Sequence, residues 1–239
     1  MMRLDKLLVE LNIGSRSEVK ALLKKGLIFV DGQKQTKPEM KVDENAVVIS
    51  YQGNDYTYRK FEYYIMNKPK GVITATEDKE CETVMDIFYG QVKDAPKGLA
   101  PVGRLDKDTT GLLLITNDGQ LAHEMLSPKK HVDKTYFVLL DGELSQDDIV
   151  SLENGVSIGQ GDLTAPATVL YKGGNSCFIT IHEGKFHQVK RMFFAVGREV
   201  LELKRTAFGP LMLDEEKLKE GEVLEISIDS CFSSEKQES

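Results

Sequence analysis

Tryptophan is absent from this 239-residue chain and cysteine is scarce. The three cysteines, Cys81, Cys177 and Cys231, lie far apart and form no CxxC pair. Their odd number and spacing exclude a disulfide framework and a cysteine zinc site, and they indicate free thiols in a reducing cytosol. A chain of this length buries enough apolar surface to fold without such cross-links.

Long hydrophobic runs are missing as well. The longest, residues 112–115 and 192–196, fall far below the roughly 20 residues of a membrane-spanning helix. The first residues, Met1 to Lys6, lack the apolar stretch of a signal peptide. We therefore expect a soluble, cytoplasmic and monomeric protein without a membrane partner.

The sequence also lacks the common motifs of metal and cofactor chemistry. Its four histidines show no HxxxH or HExxH spacing, and there is no Walker, GxGxxG or GxSxG motif. We expect no metal site and no cofactor.

Positive charge is in the minority, with a formal net charge of −7. This total taken alone argues against a nucleic-acid partner. The distribution is uneven, since residues 1–60 hold eleven Lys or Arg and eight Asp or Glu, a balance of +3 that leaves −10 for the remainder. RNA binding stays open, because basic groups gathered on one face are sufficient for it.

The first 52 residues are predicted to form a small α/β unit. Ser15-Arg16-Ser17-Glu18 has the spacing of a capping box, and the helix that it starts ends near Gly26. A strand at residues 27–30, a tight turn at Asp31-Gly32 and a strand at residues 47–49 follow. An earlier helix is predicted over about residues 3–11.

A polar segment, residues 53–60, is the predicted linker to a larger domain, residues 61–232, and residues 233–239 are expected to be a disordered tail. The larger domain shows no regular βαβ alternation, which favours an α+β fold with a mixed, mainly antiparallel sheet flanked by helices. Its predicted strands are residues 63–66, 111–116, 135–140, 168–171, 177–181, 200–205 and 223–228, and its predicted helices are residues 120–126, 146–154 and 186–195.

The stretch from Gly103 to Gly119 is the most informative part of the chain. A loop rich in charges and hydroxyls, Arg104-Leu105-Asp106-Lys107-Asp108-Thr109-Thr110, leads directly into an apolar strand. Active-site groups often sit in this way, on a loop held by a rigid element. The pattern also fits a surface turn, with Asp108 capping Thr110, and this is the more frequent case, so residue types alone do not assign Asp106 to catalysis.

Two further segments carry candidate groups. Helical spacing in residues 186–197 places apolar residues on one face and His187, Lys190 and Arg191 on or beside the other. A lysine on such a boundary can pair with a carboxylate and hold it ionised, although a solvated basic face gives the same pattern. Tyr136, near the start of a strand, is suited to stacking on a nucleobase or to ordinary core packing.

These segments together resemble a known family. Residues 3–32, with Ser15-Arg16 and Lys24-Lys25-Gly26, resemble an S4 RNA-binding domain, and the Gly103-Arg104-Leu105-Asp106 motif through Asn117-Asp118-Gly119 resembles the catalytic motif of the RsuA/RluB/RluE/RluF pseudouridine synthases. Lys68-Pro69-Lys70-Gly71, Lys134-Thr135-Tyr136 and Leu203-Lys204-Arg205 with Gly209 fall in that family's order. The resemblance covers nearly the whole chain and implies an enzyme that isomerises uridine to pseudouridine in structured RNA.

The resemblance also implies roles for single residues. Asp106 matches the essential aspartate, Tyr136 the tyrosine that stacks on the target base, and Lys190 the basic partner of the aspartate. The expected substrate-binding residues are Arg104, Leu203 and Lys68. The residues expected to contact RNA phosphates are Arg3, Arg16, Lys20, Lys24 and Lys25.

The run from Phe186 to Met192 resembles the RsuA branch, which implies 16S rRNA as substrate, in a small-subunit assembly intermediate. Three alternatives remain at this point: a large-subunit rRNA synthase of the same family, a non-catalytic RNA-binding assembly factor, and a carbohydrate enzyme that uses Asp106 and Asp108. The second is disfavoured because Asp106, Tyr136 and Lys190 are all present, and the third leaves the basic N-terminal helix unexplained.

Overall fold

The computed structural model describes residues 1–93, 95–159 and 161–228 of the chain. These residues divide into two compact units. The first comprises Met1–Glu62 together with residues 95–99, and the second comprises Tyr63–Lys93 and the chain from residue 100 onward. The expected tail, residues 233–239, lies outside the described residues, as does Cys231.

The first unit combines two helices with short antiparallel strands. Its elements are β1 (Met2–Arg3), α1 (Leu4–Glu10), α2 (Arg16–Lys24), β2 (Ile28–Val30), β3 (Gln33–Gln35), β4 (Lys41–Val42), β5 (Val48–Tyr51) and β6 (Asn54–Thr57). One sheet has the order β3-β2-β5-β6, and β1 pairs with β4. The core between helices and sheet includes Leu4, Leu8, Leu23, Ile28 and Ile49, none of them exposed.

Helix α2 begins and ends as its sequence predicts. Ser15 accepts a hydrogen bond from the Glu18 backbone, and the Glu18 carboxylate accepts one from the Ser15 backbone at 2.7 Å, which completes the capping box. Gly26 follows with a φ of +66°, a left-handed conformation that suits glycine at a helix C-terminus.

The segment predicted as a linker, residues 53–60, is instead partly a strand. Gln52 and Gly53 adopt φ angles of +52° and +81°, as in the two-residue turn of a tight hairpin, and β6 pairs with β5 from Tyr51–Asn54 to Val48–Thr57. The Gly-Asn-Asp composition that suggests a flexible linker is equally suited to such a turn, so the first unit continues to Glu62 rather than ending at residue 52.

The second unit is built on a large mixed sheet. Its strands are β7 (Tyr63–Lys68), β8 (Ala100–Pro101), β9 (Thr110–Thr116), β10 (Lys134–Leu140), β11 (Thr168–Tyr171), β12 (Ser176–Ile181), β13 (Val200–Phe208), β14 (Leu211–Met212) and β15 (Val223–Glu225). Its helices are α3 (Val84–Gln91), α4 (Gly119–Leu126), α5 (Gln146–Asn154) and α6 (Gln188–Ala195), with a 3-10 turn at Pro128–Lys130. The main path of the sheet is β11-β12-β10-β13-β9-β7-β15. Among the described pairs along this path only β13–β9 is parallel, so the α+β fold with a mainly antiparallel sheet is confirmed.

The parallel junction between β9 and β13 depends on Gly111. Gly111 lies opposite Arg205 with a φ of +101°, and a Cβ there would come within 2.3 Å of the Arg205 carbonyl oxygen. No side chain fits between the strands at this point. The close approach brings the loop that precedes β9 next to β13.

Two helices of the second unit differ from the sequence prediction. Helix α3 is absent from that prediction, although Thr83 and Asp86 cap its first turn reciprocally in the pattern of a capping box. Helix α6 begins at Gln188 rather than Phe186, because His187 adopts a left-handed conformation that ends the preceding turn. In the described part of the chain, no helix is long and apolar enough to span a membrane.

Candidate functional site

The loop that carries Asp106 is fixed by residues on both sides of it. The Thr74 hydroxyl donates to the Leu105 carbonyl at 2.8 Å and accepts from the Leu105 backbone N–H at 3.1 Å. The Thr109 N–H donates to the Asp106 carbonyl at 3.1 Å and closes the turn. Leu105 itself is buried in the core of the second unit, so the backbone on which Asp106 stands has little freedom.

Lys68 anchors the same loop from below. Its side chain is fully buried, and its Nζ donates to the carbonyls of Pro69, Lys107 and Thr109 at 3.0, 3.4 and 2.9 Å. Lys68 is therefore a positioning residue and does not line the cavity as a substrate-binding residue, contrary to expectation. The sequence could not show this, since lysine is among the residues that are most rarely buried in full.

Burial lowers the pKa of Lys68 from 10.5 to about 8, against the raising effect of Asp108 and Asp106. Between these two pH values the unfolded chain holds the Lys68 proton more tightly than the folded one, so this group makes the fold more stable as the pH rises through the window. The unfolding free energy of the wild type minus that of Lys68→Met should rise by up to about 3 kcal/mol from pH 8 to 10.5. Urea titrations across this range measure it.

Lys70→Met serves as the control for that measurement, because Lys70 is an exposed lysine two positions away. The difference for Lys68→Met is compared with that for Lys70→Met at each pH, since both variants remove one lysine charge. Equal pH dependence of the two differences would show that the Lys68 ammonium is not destabilised by burial.

Two carboxylates of this loop, those of Asp106 and Asp108, contact the Lys190 ammonium of α6. Lys190 Nζ lies 3.2 Å from Asp106 Oδ2 and 2.5 Å from Asp108 Oδ1. Partial burial raises the pKa of Asp108, but the hydrogen bond and charge of Lys190 outweigh it and hold the pKa below its usual range. The expected Asp106–Lys190 pair is thus present in the structure, with Asp108 as a second carboxylate on the same ammonium.

A small cavity distinguishes the two carboxylates. It measures about 80 Å³ and is lined by Asp106 but not by Asp108; the other lining residues include Arg104, Tyr136, His187, Gln188 and Leu203. The side chain of Asp108 is 59% exposed against 29% for Asp106. Ligand sites usually measure roughly 300–1,000 Å³, so this cavity is smaller than a typical ligand site.

Tyr136 forms one wall of the cavity. It belongs to the buried core of the second unit and lies opposite Arg205 in the β10–β13 register. Arg205 is itself almost fully buried, and its Nε donates to the Leu112 carbonyl at 2.8 Å. Burial lowers the pKa of Arg205, and Tyr136 opposes this shift. The Tyr136 ring therefore has a fixed orientation, as both core packing and base stacking require.

Both parts of the chain have counterparts among known proteins. Residues 62–195 match the family model described as RNA pseudouridylate synthase, and residues 2–48 match the S4 domain. The chain belongs to the RNA pseudouridylate synthase family. It is an RNA pseudouridine synthase that carries an S4 domain, and this organisation confirms the resemblance seen in the sequence.

Full-length relatives support the assignment. The synthase is 48% identical to the uncharacterized RNA pseudouridine synthase YtzG of Bacillus subtilis, over 89% of this chain and 90% of the relative. It is 40% identical to ribosomal small subunit pseudouridine synthase A of Vibrio cholerae, over 90% and 91%, and 37% identical to ribosomal large subunit pseudouridine synthase B of B. subtilis, over 89% and 88%. A crystal structure of a pseudouridylate synthase superposes with a TM-score of 0.66 at 30% identity, covering 97% and 98% of the two chains.

The basic residues of the S4 domain fall into two groups. Arg16, Lys20 and Lys24 are exposed and spaced four residues apart on α2, so they share one face, and Lys25 is exposed at the end of the helix. Arg3 differs, because its guanidinium binds both carboxylate oxygens of Asp5, at 3.0 and 2.9 Å. A phosphate would have to compete with Asp5 for Arg3.

The sequence assigns no role to several residues of the synthase site. Thr74 and Arg205 act through contacts with residues distant in the chain, which no local pattern shows. Gln188 is buried, accepts from the Lys185 N–H at 2.9 Å and donates to Glu183 at 2.7 Å. His187, distinguished in the sequence only by its helix face, places Nε2 3.6 Å from Asp106 Oδ1.

Proposed function

We propose that this synthase isomerises a specific uridine of 16S rRNA to pseudouridine, with Asp106 as the essential carboxylate. The observation that carries the proposal is the position of Asp106: it lines the cavity beside Tyr136 and Leu203, with the Lys190 ammonium 3.2 Å away. The small-subunit assignment is supported by related proteins from Vibrio and Salmonella. They are 38–40% identical to this chain and are named ribosomal small subunit pseudouridine synthase A. The proposed partner is a small-subunit assembly intermediate in the cytoplasm.

The conversion of uridine to pseudouridine needs few groups besides these. The bond between the base nitrogen and the sugar carbon breaks, the base rotates, and a bond to ring carbon 5 forms; the hydrogen at carbon 5 leaves as a proton, and the freed base nitrogen takes up a proton. A carboxylate can attack or stabilise the electron-poor sugar carbon as the base departs, as in glycosidases. In this proposal Asp106 has that role, and the Lys190 ammonium, 3.2 Å away, positions it.

The target base must leave its stack to reach Asp106. Unstacking costs a few kcal/mol, and stacking on Tyr136 would offset about 1–3 kcal/mol of it. Leu203, buried in the same wall, offers apolar contact, and the exposed Arg104 is placed to meet a phosphate at the mouth. Contacts from the basic face of α2 would position the RNA without reading its sequence.

Release of tritium from 5-tritiated uridine tests this proposal, with 16S transcript, 30S particles, partly assembled particles and 23S transcript as substrates. We expect release from one of the 16S forms and none from 23S RNA. Release from 23S RNA alone would establish the second candidate, a large-subunit enzyme, which the 37% identity to synthase B of B. subtilis favours. Absence of release from all four would refute the proposed function.

Reversal of charge on the basic face of α2 should weaken RNA binding. Each phosphate that the protein neutralises adds about one unit to the steepness of log affinity against log salt concentration, so Lys24→Glu with Lys25→Glu should flatten that slope by up to about two. Filter binding between low and physiological salt measures it.

Lys37→Glu with Lys41→Glu is the control, because it changes the net charge equally at two exposed lysines outside α2. It should alter the slope less. Equal slopes for the two double variants would contradict α2 as the contact face.

A further inference from the structure

Two aromatic rings stand in the turn before α6. The rings of Phe186 and His187 are stacked, with centroids 3.8 Å apart and planes inclined by 17°. Phe186 is 76% exposed. Because the imidazole covers one face of the phenyl ring, that exposure belongs to the opposite face and the edges. The pair therefore presents a flat apolar ring to solvent.

The turn holds this pair in place by contacts of its own. The Gln188 N–H donates to the Lys185 carbonyl at 3.1 Å, and the Lys185 N–H donates to the buried Gln188 amide oxygen at 2.9 Å. Arg191 Nη1 donates to the Phe186 carbonyl at 3.1 Å. The rings thus stand on a backbone that is tied from both sides, and little freedom remains to be lost when something binds them.

His187 is an unusual residue for its position. It precedes the first turn of α6 with φ +49° and ψ +34°, and its side chain makes no capping hydrogen bond. Asparagine, aspartate and serine are the residues that most often cap helices, and a left-handed backbone is uncommon for residues other than glycine, although histidine adopts it more often than most. The imidazole instead reaches Asp106, at 3.6 Å, and lines the cavity. Uncommon backbone conformations of this kind cluster at active sites.

We propose that the Phe186–His187 stack is a binding platform for an unpaired nucleobase of the RNA, next to the uridine that enters the cavity. His187 lines the cavity, and the Phe186 ring is stacked on His187 with centroids 3.8 Å apart. The open face of Phe186 is therefore within reach of a nucleotide adjacent to the target uridine. Every base has a π-face, so such a platform orders the strand beside the flipped nucleotide without reading its sequence. This inference rests on the proposed function for the identity of the RNA.

The absence of tryptophan from the chain makes the platform directly observable. Phe186→Trp introduces a single tryptophan that keeps the stacking surface. Phe194→Trp is the matched control, because Phe194 is a similarly exposed phenylalanine, 79%, on α6. Addition of 16S or 23S rRNA transcript should quench the tryptophan of Phe186→Trp and leave that of Phe194→Trp nearly unchanged. Equal behaviour of the two variants would overturn the platform.

Kinetics supply a second readout on whichever transcript releases tritium. Phe186→Ala should raise KM about 5- to 150-fold, the range that one base–aromatic stack supplies, while kcat stays within about threefold because no reacting atom is touched. Phe194→Ala should match the wild type, and Phe186→Trp should restore KM. A KM for Phe186→Ala within about twofold of wild type refutes the platform and leaves the proposed function standing. Quenching without tritium release from any of the four substrates refutes the proposed function and leaves the platform standing.

Discussion

Asp106→Asn is expected to abolish pseudouridine formation while RNA binding persists. The amide keeps the shape of the carboxylate and its contact with Lys190 but cannot supply the negative charge that the electron-poor sugar carbon needs. Loss of the central member of a catalytic unit costs on the order of 10⁴-fold or more in turnover. Tritium release measures the turnover, and filter binding measures the affinity.

Asp108→Asn is the matched control, since it makes the same chemical change two residues away in the same loop. Asp108 binds Lys190 more closely than Asp106 does but does not line the cavity. Its replacement should lower turnover by no more than about tenfold, through a less well-positioned ammonium. If Asp108→Asn were inactive and Asp106→Asn active, the two carboxylates would have to exchange roles.

Lys190→Met is expected to have the second largest effect. Its ammonium is shared between Asp106 and Asp108. Without it, two neighbouring carboxylates are left with no positive charge between them. Asp106 would then lose its counter-charge and be less well placed, and a loss of roughly 10²- to 10³-fold in kcat is expected, of the size seen when one preorganised charged contact is removed. Lys190→Arg keeps the charge and should recover part of this loss.

The double variant distinguishes catalysis from simple instability. If Lys190 acts only through Asp106, then Asp106→Asn combined with Lys190→Met should be no slower than Asp106→Asn alone, because residues that act as one unit are not additive. Multiplied losses in the double variant would mean that Lys190 contacts the reacting nucleotide by itself. Melting temperatures of all four proteins control for unfolding.

The sequence predicts the elements of this fold well wherever a local signal exists. The Ser15–Glu18 capping box and the Asp31-Gly32 turn appear as expected. The errors have local causes too: the turn residues at Gln52-Gly53 have the composition of a linker, and the capping box at Thr83 carries aspartate where glutamate is usual. In the first case the same residue types suit two structures, and strand pairing decides between them.

The site was less predictable than the fold. From residue types alone Asp106 is indistinguishable from Asp108, and only the folded chain places one in the cavity wall and the other outside it. Lys68 shows the limit most clearly, since its three carbonyl partners include Lys107 and Thr109, 39 and 41 positions away in the chain. Positioning residues of this kind depend on tertiary contacts and leave no periodic signal.

A pseudouridine map of rRNA from a strain lacking this gene tests the central claim most directly. We expect one uridine in 16S rRNA to lose its modification, a plasmid copy of the wild-type gene to restore it, and the Asp106→Asn copy to fail although the protein accumulates normally. Restoration by Asp106→Asn, or a lost site in 23S rRNA with 16S rRNA unchanged, would contradict the account.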